Sequence, residues 1–190
     1  MKNILIIGAT GSLAKYVIDT LQNLPDVHLT LFARNKSRVR NDTANATVVE
    51  GDVMDYGKLK SAVANQDIVY INLAGDLEAM AKNIVKAMQE NKVKRVIAIS
   101  SIGIYAPMLK SVLLPYRKLA DVIEGSGLDY TLLRPEWFTD ANEVDYALTK
   151  KGTPETGTAI SRKSIAAFVA TLIQNPELYK NENLGISRPD

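Results

Sequence analysis

The glycine-rich turn near the start of the chain constrains the fold more than any other stretch. An apolar run at residues 4–7 breaks at Gly8-Ala9-Thr10-Gly11, and an amphipathic helical pattern begins directly afterwards. Gly8 lets the backbone turn sharply off a strand, and Gly11 lets it approach a diphosphate without a Cβ in the way. Free N–H groups of the first helical turn would then bind the phosphates. The stretch predicts a dinucleotide-binding βα turn; a tight turn that binds nothing is the alternative.

The order of apolar segments predicts an α/β fold. Strand-like segments alternate with amphipathic helical patterns, which implies right-handed crossovers and a parallel sheet with helices on both faces. We therefore predict a single doubly wound domain over residues 1–190. Periodicity fails at about residues 135–160, which predicts a loop-rich excursion over the carboxyl edge of the sheet. The predicted strands are residues 4–7, 27–33, 46–50, 67–73, 95–99, 130–133 and 183–187.

The composition restricts the classes of partner, ion and compartment. The chain carries a formal net charge of +2 from interspersed residues, which predicts no nucleic-acid partner. It has no cysteine, which favours a reducing compartment, and we expect a cytoplasmic protein. The first apolar run is too short for a signal sequence or a membrane span, so no membrane association is expected. One histidine and scattered carboxylates predict no metal site.

The end of the second strand indicates which dinucleotide would bind. Sites that prefer NAD place an acidic side chain there to accept hydrogen bonds from the ribose 2′-hydroxyl. This chain has Arg34 instead, followed by Lys36 and Arg38. Guanidinium and ammonium groups stabilise a 2′-phosphate and do not replace a carboxylate, so we expect NADP(H) to be favoured over NAD(H). For Lys36 and Arg38, a solvated surface explains the residues equally well.

The ends of the third and fourth strands add further candidates. Asp52, followed by Val53, is placed to accept a hydrogen bond from the adenine amino group. Ala74 and Gly75 are small enough to let the nicotinamide ribose pass close to the backbone. Ordinary strand-ending turns are the alternative explanation in both places.

Taken in order, the segments GATGSLA, ARNKSR, GDV, NLAG, AISS and SGLDYTLLRPEW resemble the short-chain dehydrogenase/reductase superfamily. More narrowly, they resemble its atypical NAD(P)H-binding branch, which includes NmrA-like and biliverdin/flavin-reductase-like proteins. The resemblance implies a Rossmann domain with strand order 3-2-1-4-5-6-7 and a cofactor at the point where that order reverses. It also implies that the dinucleotide contacts Gly8, Thr10, Gly11, Ser12, Leu13, Arg34, Asp52, Val53, Ala74 and Gly75.

The resemblance further implies a catalytic set, which this chain has only in part. Typical members use a serine after the fifth strand and a Tyr and Lys four residues apart on one helix, where the ammonium lowers the pKa of the phenol. Ser101, next to Ser100, and Lys118 match, but Leu114 stands four residues before the lysine. Tyr116 is a candidate proton donor, although on a regular helix it would point away from Lys118.

Two other tyrosines deserve comparison with this pattern. Tyr105 follows Ser101 closely and is an alternative proton donor, or a residue that merely lines the pocket. Tyr146 and Lys150 have the required four-residue spacing, but they lie in the excursion, and we interpret the match as a coincidence.

These residues favour a reductase of a planar acceptor. Without the tyrosine, reduction of a simple ketone would slow by about two to four powers of ten, whereas a flavin or quinone can take its proton from solvent. Trp137 and Phe138 offer flat surfaces to such a small-molecule acceptor. A non-catalytic NADP(H)-binding redox sensor of the NmrA-like type is the alternative, and a sugar-nucleotide epimerase or dehydratase fits less well. We expect a monomer or a small homo-oligomer.

Overall fold

The computed structural model describes residues 1–40 and 42–190, which form one α/β domain. None of the helices in these ranges has both the length and the apolar character required to cross a membrane. The helices are α1 (Ser12–Leu21), α2 (Tyr56–Val63), α3 (Leu77–Glu90), α4 (Leu114–Glu124) and α5 (Arg162–Gln174). The strands are β1 (Lys2–Ile7), β2 (Val27–Ala33), β3 (Ala46–Glu50), β4 (Ile68–Ile71), β5 (Arg95–Ile99), β6 (Asp129–Pro135), β7 (Phe138–Thr139), β8 (Ala147–Lys150), β9 (Ile160–Ser161) and β10 (Glu182–Ser187).

The central sheet confirms the predicted doubly wound fold. Its strand order is β3-β2-β1-β4-β5-β6-β10-β8, and every neighbouring pair is parallel except β10 and β8. The last predicted strand, residues 183–187, lies beside β6 as part of β10. Because the chain moves outward in opposite directions from β1 and β4, the loops after these two strands diverge and leave a crevice between them.

The alternation of side chains along β1 explains why both sheet faces are covered. Ile4 and Ile6 belong to the hydrophobic cluster that α1 and α5 complete. Leu5 and Ile7 belong to the opposite cluster, which α2, α3 and α4 complete. Because successive strand residues point to opposite faces, a continuous apolar run is what a strand buried on both faces requires.

The excursion differs from the sequence-based expectation, because it contains three short strands. β7 and β9 pair with each other in a separate two-stranded sheet, and β8 adds an antiparallel edge to the main sheet beyond β10. Leu148 of β8 packs against the core on the α1 and α5 side. With two to four residues each, these strands are too short to produce a recognisable apolar period.

An ion pair between a buried arginine and a partly exposed glutamate fastens the excursion to the sheet. Arg134 on β6 is 1% exposed, and its Nε donates to Glu155 Oε1 at 2.8 Å. Glu155 Oε2 accepts from the Gly103 amide at 3.0 Å, so one carboxylate joins the excursion to β6 and to the loop after β5. The Arg134 guanidinium also donates to Asn183 Oδ1 on β10.

We predict that Glu155→Ala destabilises the protein by about 3 kcal/mol, because it leaves the buried Arg134 charge without its carboxylate. Urea unfolding followed by circular dichroism would measure the change. Glu177→Ala is the matched control: this residue is 84% exposed and pairs with Lys180 at the surface, so its loss should stay below about 1 kcal/mol. Equal losses in the two variants would contradict the importance assigned to the pairing of the buried Arg134 with Glu155.

Candidate functional site

The loops at the carboxyl edge of the sheet enclose an open cleft of about 300 Å³. It lies where the strand order reverses between β1 and β4, the usual ligand position in this class of fold. The lining residues are Gly8, Thr10, Gly11, Ser12, Leu13, Phe32, Ala33, Arg34, Gly51, Asp52, Val53, Asn72, Leu73, Ala74, Met80, Tyr116 and Phe138.

The first turn of α1 presents unused hydrogen-bond donors to this cleft. Gly11 is the N-cap residue and no side chain caps the helix. In contrast, side chains of Asp55, Asp76 and Ser161 cap α2, α3 and α5. Because the first amides of a helix have no acceptor within it, the lining residues of α1 leave their N–H groups available to an anion.

The two glycines of the turn have different roles. Gly8 has φ +89°, and a Cβ built there would lie 2.0 Å from the Asn72 carbonyl oxygen. The fold itself therefore requires glycine at this position. A Cβ on Gly11 would lie 3.4 Å from the nearest atom, the Gly8 oxygen, which is ordinary contact. The absence of a side chain at Gly11 instead keeps space open over the helix terminus, as a bound diphosphate would need.

The basic segment after β2 divides into residues that reach the cleft and residues that do not. Arg34 lines the cleft, whereas Arg38 belongs to a 3-10 turn, Lys36–Arg38, and lies outside it. The Asn35 side chain accepts from the Ser37 amide at 3.0 Å, and Glu50 Oε2 accepts from the Lys36 amide at 2.9 Å. These bonds fix the 3-10 turn. Arg34, the first residue of the basic segment, therefore lines the cleft, and the turn directs the rest of the segment away from it.

Of the candidate cofactor-binding residues after β3 and β4, some line the cleft and one does not. Asp52 lines the cleft, with Oδ1 accepting from the Met54 amide at 2.8 Å, and its neighbour Val53 and Ala74 line it as well. Gly75 does not line the cleft. Its carbonyl accepts from the Leu77 amide at 2.9 Å, and its φ of +113° turns the chain into α3.

The three catalytic candidates are not brought together. Tyr116 lines the cleft, but Ser101 and Lys118 do not. Because α4 is regular from Leu114 onward, residues two apart on it lie on different sides. The Ser101 hydroxyl donates to the Ile102 carbonyl at 3.2 Å, and the Ser100 hydroxyl donates to the Tyr116 carbonyl at 3.0 Å.

Lys118 is held by an acidic residue of the neighbouring helix. Its Nζ lies 2.7 Å from Glu78 Oε2 on α3. Lys118, together with Lys82, lowers the pKa of Glu78 to about 2, and Glu78 in turn raises the pKa of Lys118. The ammonium thus stays charged and paired with a carboxylate of α3.

The other tyrosines have structural surroundings. The Tyr105 hydroxyl accepts from Asn183 Nδ2 at 2.8 Å, and its ring lies 4.6 Å from Lys151 Nζ, in the network around Arg134. Tyr146 packs its ring 5.3 Å from that of Phe168. Lys150 pairs with Glu182, and a four-residue spacing along an extended strand spans about 13 Å. No Tyr–Lys pair of the helical kind forms there.

The cleft also has apolar and aromatic lining. Leu73, Met80, Tyr116 and Phe138 contribute it. The Phe138 ring lies 5.1 Å from the Arg162 guanidinium, and the adjacent Trp137 is 81% exposed. Sequence reasoning missed Met80 as a wall residue, because its helical spacing is equally typical of a core residue. Within the described ranges, no cluster of three or more metal-ligating side chains is found.

The comparisons with known proteins agree on NAD(P)-binding proteins. A sequence profile described as NAD(P)H-binding matches residues 8–176. A Rossmann-fold NAD(P)-binding family protein from Shigella flexneri has a TM-score of 0.93 and 43% identity, covering 100% of this chain and 94% of that one. A short-chain dehydrogenase/reductase from Veillonella parvula, solved in complex with NADP, has a TM-score of 0.89 and 28% identity, covering 99% and 95%.

A plant relative extends the comparison. The isoflavone reductase homolog A622 from Nicotiana glauca is 29% identical over 154 residues, which cover 72% of this chain and 49% of that protein. The chain thus spans about half the length of the curated relatives that it matches.

We predict that Gly8→Ala destabilises the protein by about 3 kcal/mol or more, because the backbone must move to separate the new Cβ from the Asn72 oxygen. Gly11→Ala should cost no more than about 1 kcal/mol, since its φ of −69° suits alanine and its Cβ meets no close atom. Thermal and urea unfolding of both variants would test this. Similar losses would show that Gly11 is also required by the fold.

Proposed function

This chain belongs to the NAD(P)H-binding family, and from that membership we propose that it is an NADP(H)-dependent reductase of planar conjugated acceptors such as flavins or quinones. It would be an atypical short-chain dehydrogenase/reductase without the usual Tyr–Lys pair, acting in the cytoplasm. The observation that carries the proposal is one cleft whose lining combines the glycine-rich turn and Arg34 with apolar and aromatic side chains.

The residues present fit the cofactor. The uncapped first turn of α1 and the open space over Gly11 suit a diphosphate, which carries negative charge and several acceptor oxygens. Arg34 would hold the adenosine end and favour a 2′-phosphate, and Asp52 would accept from the adenine amino group. The Veillonella relative supports the phosphorylated cofactor, because it was solved with NADP. When bound, the nicotinamide supplies the hydride.

The apolar lining of the cleft supports a flat acceptor. Met80 and Phe138 present apolar and aromatic surface there, and the exposed Trp137 adjoins Phe138 in the chain. These groups would position an acceptor and exclude water, and the Tyr116 hydroxyl would be an additional proton donor that a flavin or quinone does not require. Acceptors that take their proton from solvent make the smallest demand on such a site. The plant relative's name refers to an isoflavone, itself a conjugated aromatic ketone.

A non-catalytic NADP(H)-binding redox sensor is the second candidate. The ion pair between Lys118 and Glu78 favours this function, because the lysine that would normally activate a catalytic tyrosine is paired with a carboxylate instead. In that case binding of the cofactor would alter the affinity for a partner protein.

We predict steady-state oxidation of NADPH by flavins and quinones, measured as loss of NADPH absorbance with purified protein. Tyr116→Phe should leave these rates within a few-fold, whereas simple ketones should react more slowly by about two to four powers of ten. Arg34→Glu protein assayed in parallel gives the background expected when NADPH binds weakly. Tight NADPH binding without oxidation by any acceptor would contradict the reductase and favour the sensor.

We predict that Arg34→Glu weakens the binding of NADPH much more than the binding of NADH, because a carboxylate repels the 2′-phosphate but accepts a hydrogen bond from a 2′-hydroxyl. Isothermal titration calorimetry with both coenzymes measures the two affinities. Lys36→Glu is the control, since it makes the same charge change on the same segment outside the cleft. Equal losses for both coenzymes in Arg34→Glu would refute the role assigned to Arg34.

A further inference from the structure

Phe138, which lines the cleft, belongs to a strand with little backbone support of its own. β7 has two residues and pairs with the two residues of β9, in a sheet separate from the main one. Beside this pair, the Ile160 amide donates to the Trp137 carbonyl at 2.9 Å. Because so short a pairing forms few backbone hydrogen bonds, side-chain contacts must determine where the Phe138 ring lies.

One carboxylate oxygen directly after β7 joins two helices. Asp140 Oδ1 accepts from the Tyr16 hydroxyl on α1 at 3.1 Å and from Arg162 Nη1 at the start of α5 at 2.9 Å. Tyr16 packs against the hydrophobic cluster on the α1 and α5 side of the sheet. This Tyr16–Asp140–Arg162 bridge therefore ties the segment after β7 to two helices that cover the main sheet.

The same bridge holds the cation that faces the Phe138 ring. The Arg162 side chain is 18% exposed, and its guanidinium carbon lies 5.1 Å from the ring centroid. Within residues 1–40 and 42–190, no hydrogen-bond partner is found for the buried Nε of Arg162. Asp140 is the carboxylate that pairs with this largely buried charge, and without it the guanidinium would turn toward water and leave the ring.

We infer that Asp140 is a positioning residue that determines how well the cleft binds a planar acceptor, because it fixes Arg162 against Phe138. The inference rests on the proposed function, since it concerns the acceptor that the reductase would bind. Asp140 is not among the residues that line the cleft, so it acts through the aromatic ring and not by touching the acceptor. A ring held in one orientation offers a flat acceptor its contact surface in advance, whereas a mobile ring must be ordered at each binding event.

Asp140→Ala tests this role, and Asp145→Ala is the matched control because it removes an exposed carboxylate from the same excursion. Asp145 bonds to α5 through its backbone amide, which donates to Ser164 Oγ at 3.0 Å and survives the substitution. With NADPH, Asp140→Ala should raise the KM of riboflavin and of a naphthoquinone by about three- to tenfold. Its kcat and its KM for NADPH should stay within about twofold. Asp140→Asn, which keeps an acceptor oxygen for Tyr16 and Arg162, should recover part of the loss.

A double-substitution cycle tests whether Asp140 acts through the aromatic ring. In Phe138→Ala protein the ring is gone, so adding Asp140→Ala should raise the acceptor KM no further. Additive effects of the two substitutions would overturn the role. Equal effects of Asp140→Ala and Asp145→Ala on the acceptor KM would also overturn it. Because Asp140 and Phe138 are exposed, circular dichroism should show every variant folded.

Trp137, the single tryptophan of the chain, gives two readouts that need no turnover. Time-resolved fluorescence anisotropy should show faster local motion of Trp137 in Asp140→Ala than in Asp145→Ala protein, because the strand that follows it is loosened. Quenching of Trp137 fluorescence by riboflavin or the naphthoquinone, with NADP⁺ present, measures acceptor binding and should rank the variants in the same order. Unchanged anisotropy in Asp140→Ala protein would contradict the positioning role.

The outcomes separate this inference from the proposed function. If the unaltered protein binds riboflavin but reduces neither acceptor, the reductase proposal fails, and the positioning role stands only if that binding depends on Asp140. If both acceptors are reduced while Asp140→Ala leaves their KM values unchanged, only the positioning role fails. If neither acceptor binds, both fail.

Discussion

The contact between the Gly8 backbone and the Asn72 carbonyl is the constraint on which the rest of the structure depends. Because no side chain fits between them, the chain leaves β1 directly along the loop that follows β4. That path determines where α1 begins, and its uncapped first turn consequently opens into the cleft. Arg34 and Tyr116 reach the same cleft from opposite sides because β1 and β4 are adjacent at the centre of the sheet.

The main sheet was predictable because each of its parallel strands is a short apolar run with its own turn. Residues 183–187 could be assigned as a strand, and they pair with β6 in the same parallel sense as the others, although β8 and not this strand forms the edge of the sheet. The excursion was harder to predict from the sequence. β8 has four residues, and its place depends on contacts with Gly185 and the α5 side of the core, neither of which leaves a periodic signal in the sequence. The pairing of Glu155 with Arg134 likewise joins residues that no local pattern connects.

The site residues, like the strands, could be predicted from the sequence only in part. The glycine turn, Asp52 and Ala74 could be placed because the carboxyl ends of parallel strands converge on one edge. Arg38 was a reasonable candidate by spacing, but hydrogen bonds to Asn35 and Glu50 form a turn that directs it outward. The position of Lys118 could not be derived from its own helix, because Glu78, which binds it, belongs to another. Tyr116 was recognised as a candidate, and its separation from Lys118 was expected if the helix was regular, as α4 is from Leu114.

The antiparallel pairing of β8 with β10 also determines how the sheet ends. A parallel sheet that stopped at β10 would offer a six-residue row of unpaired backbone groups to another molecule. The shorter β8 covers the carboxyl-terminal part of that row and carries the charged Lys150 at its own end. Such an edge disfavours strand addition between molecules, so the same excursion that contributes Phe138 to the cleft also protects the fold from ordered aggregation.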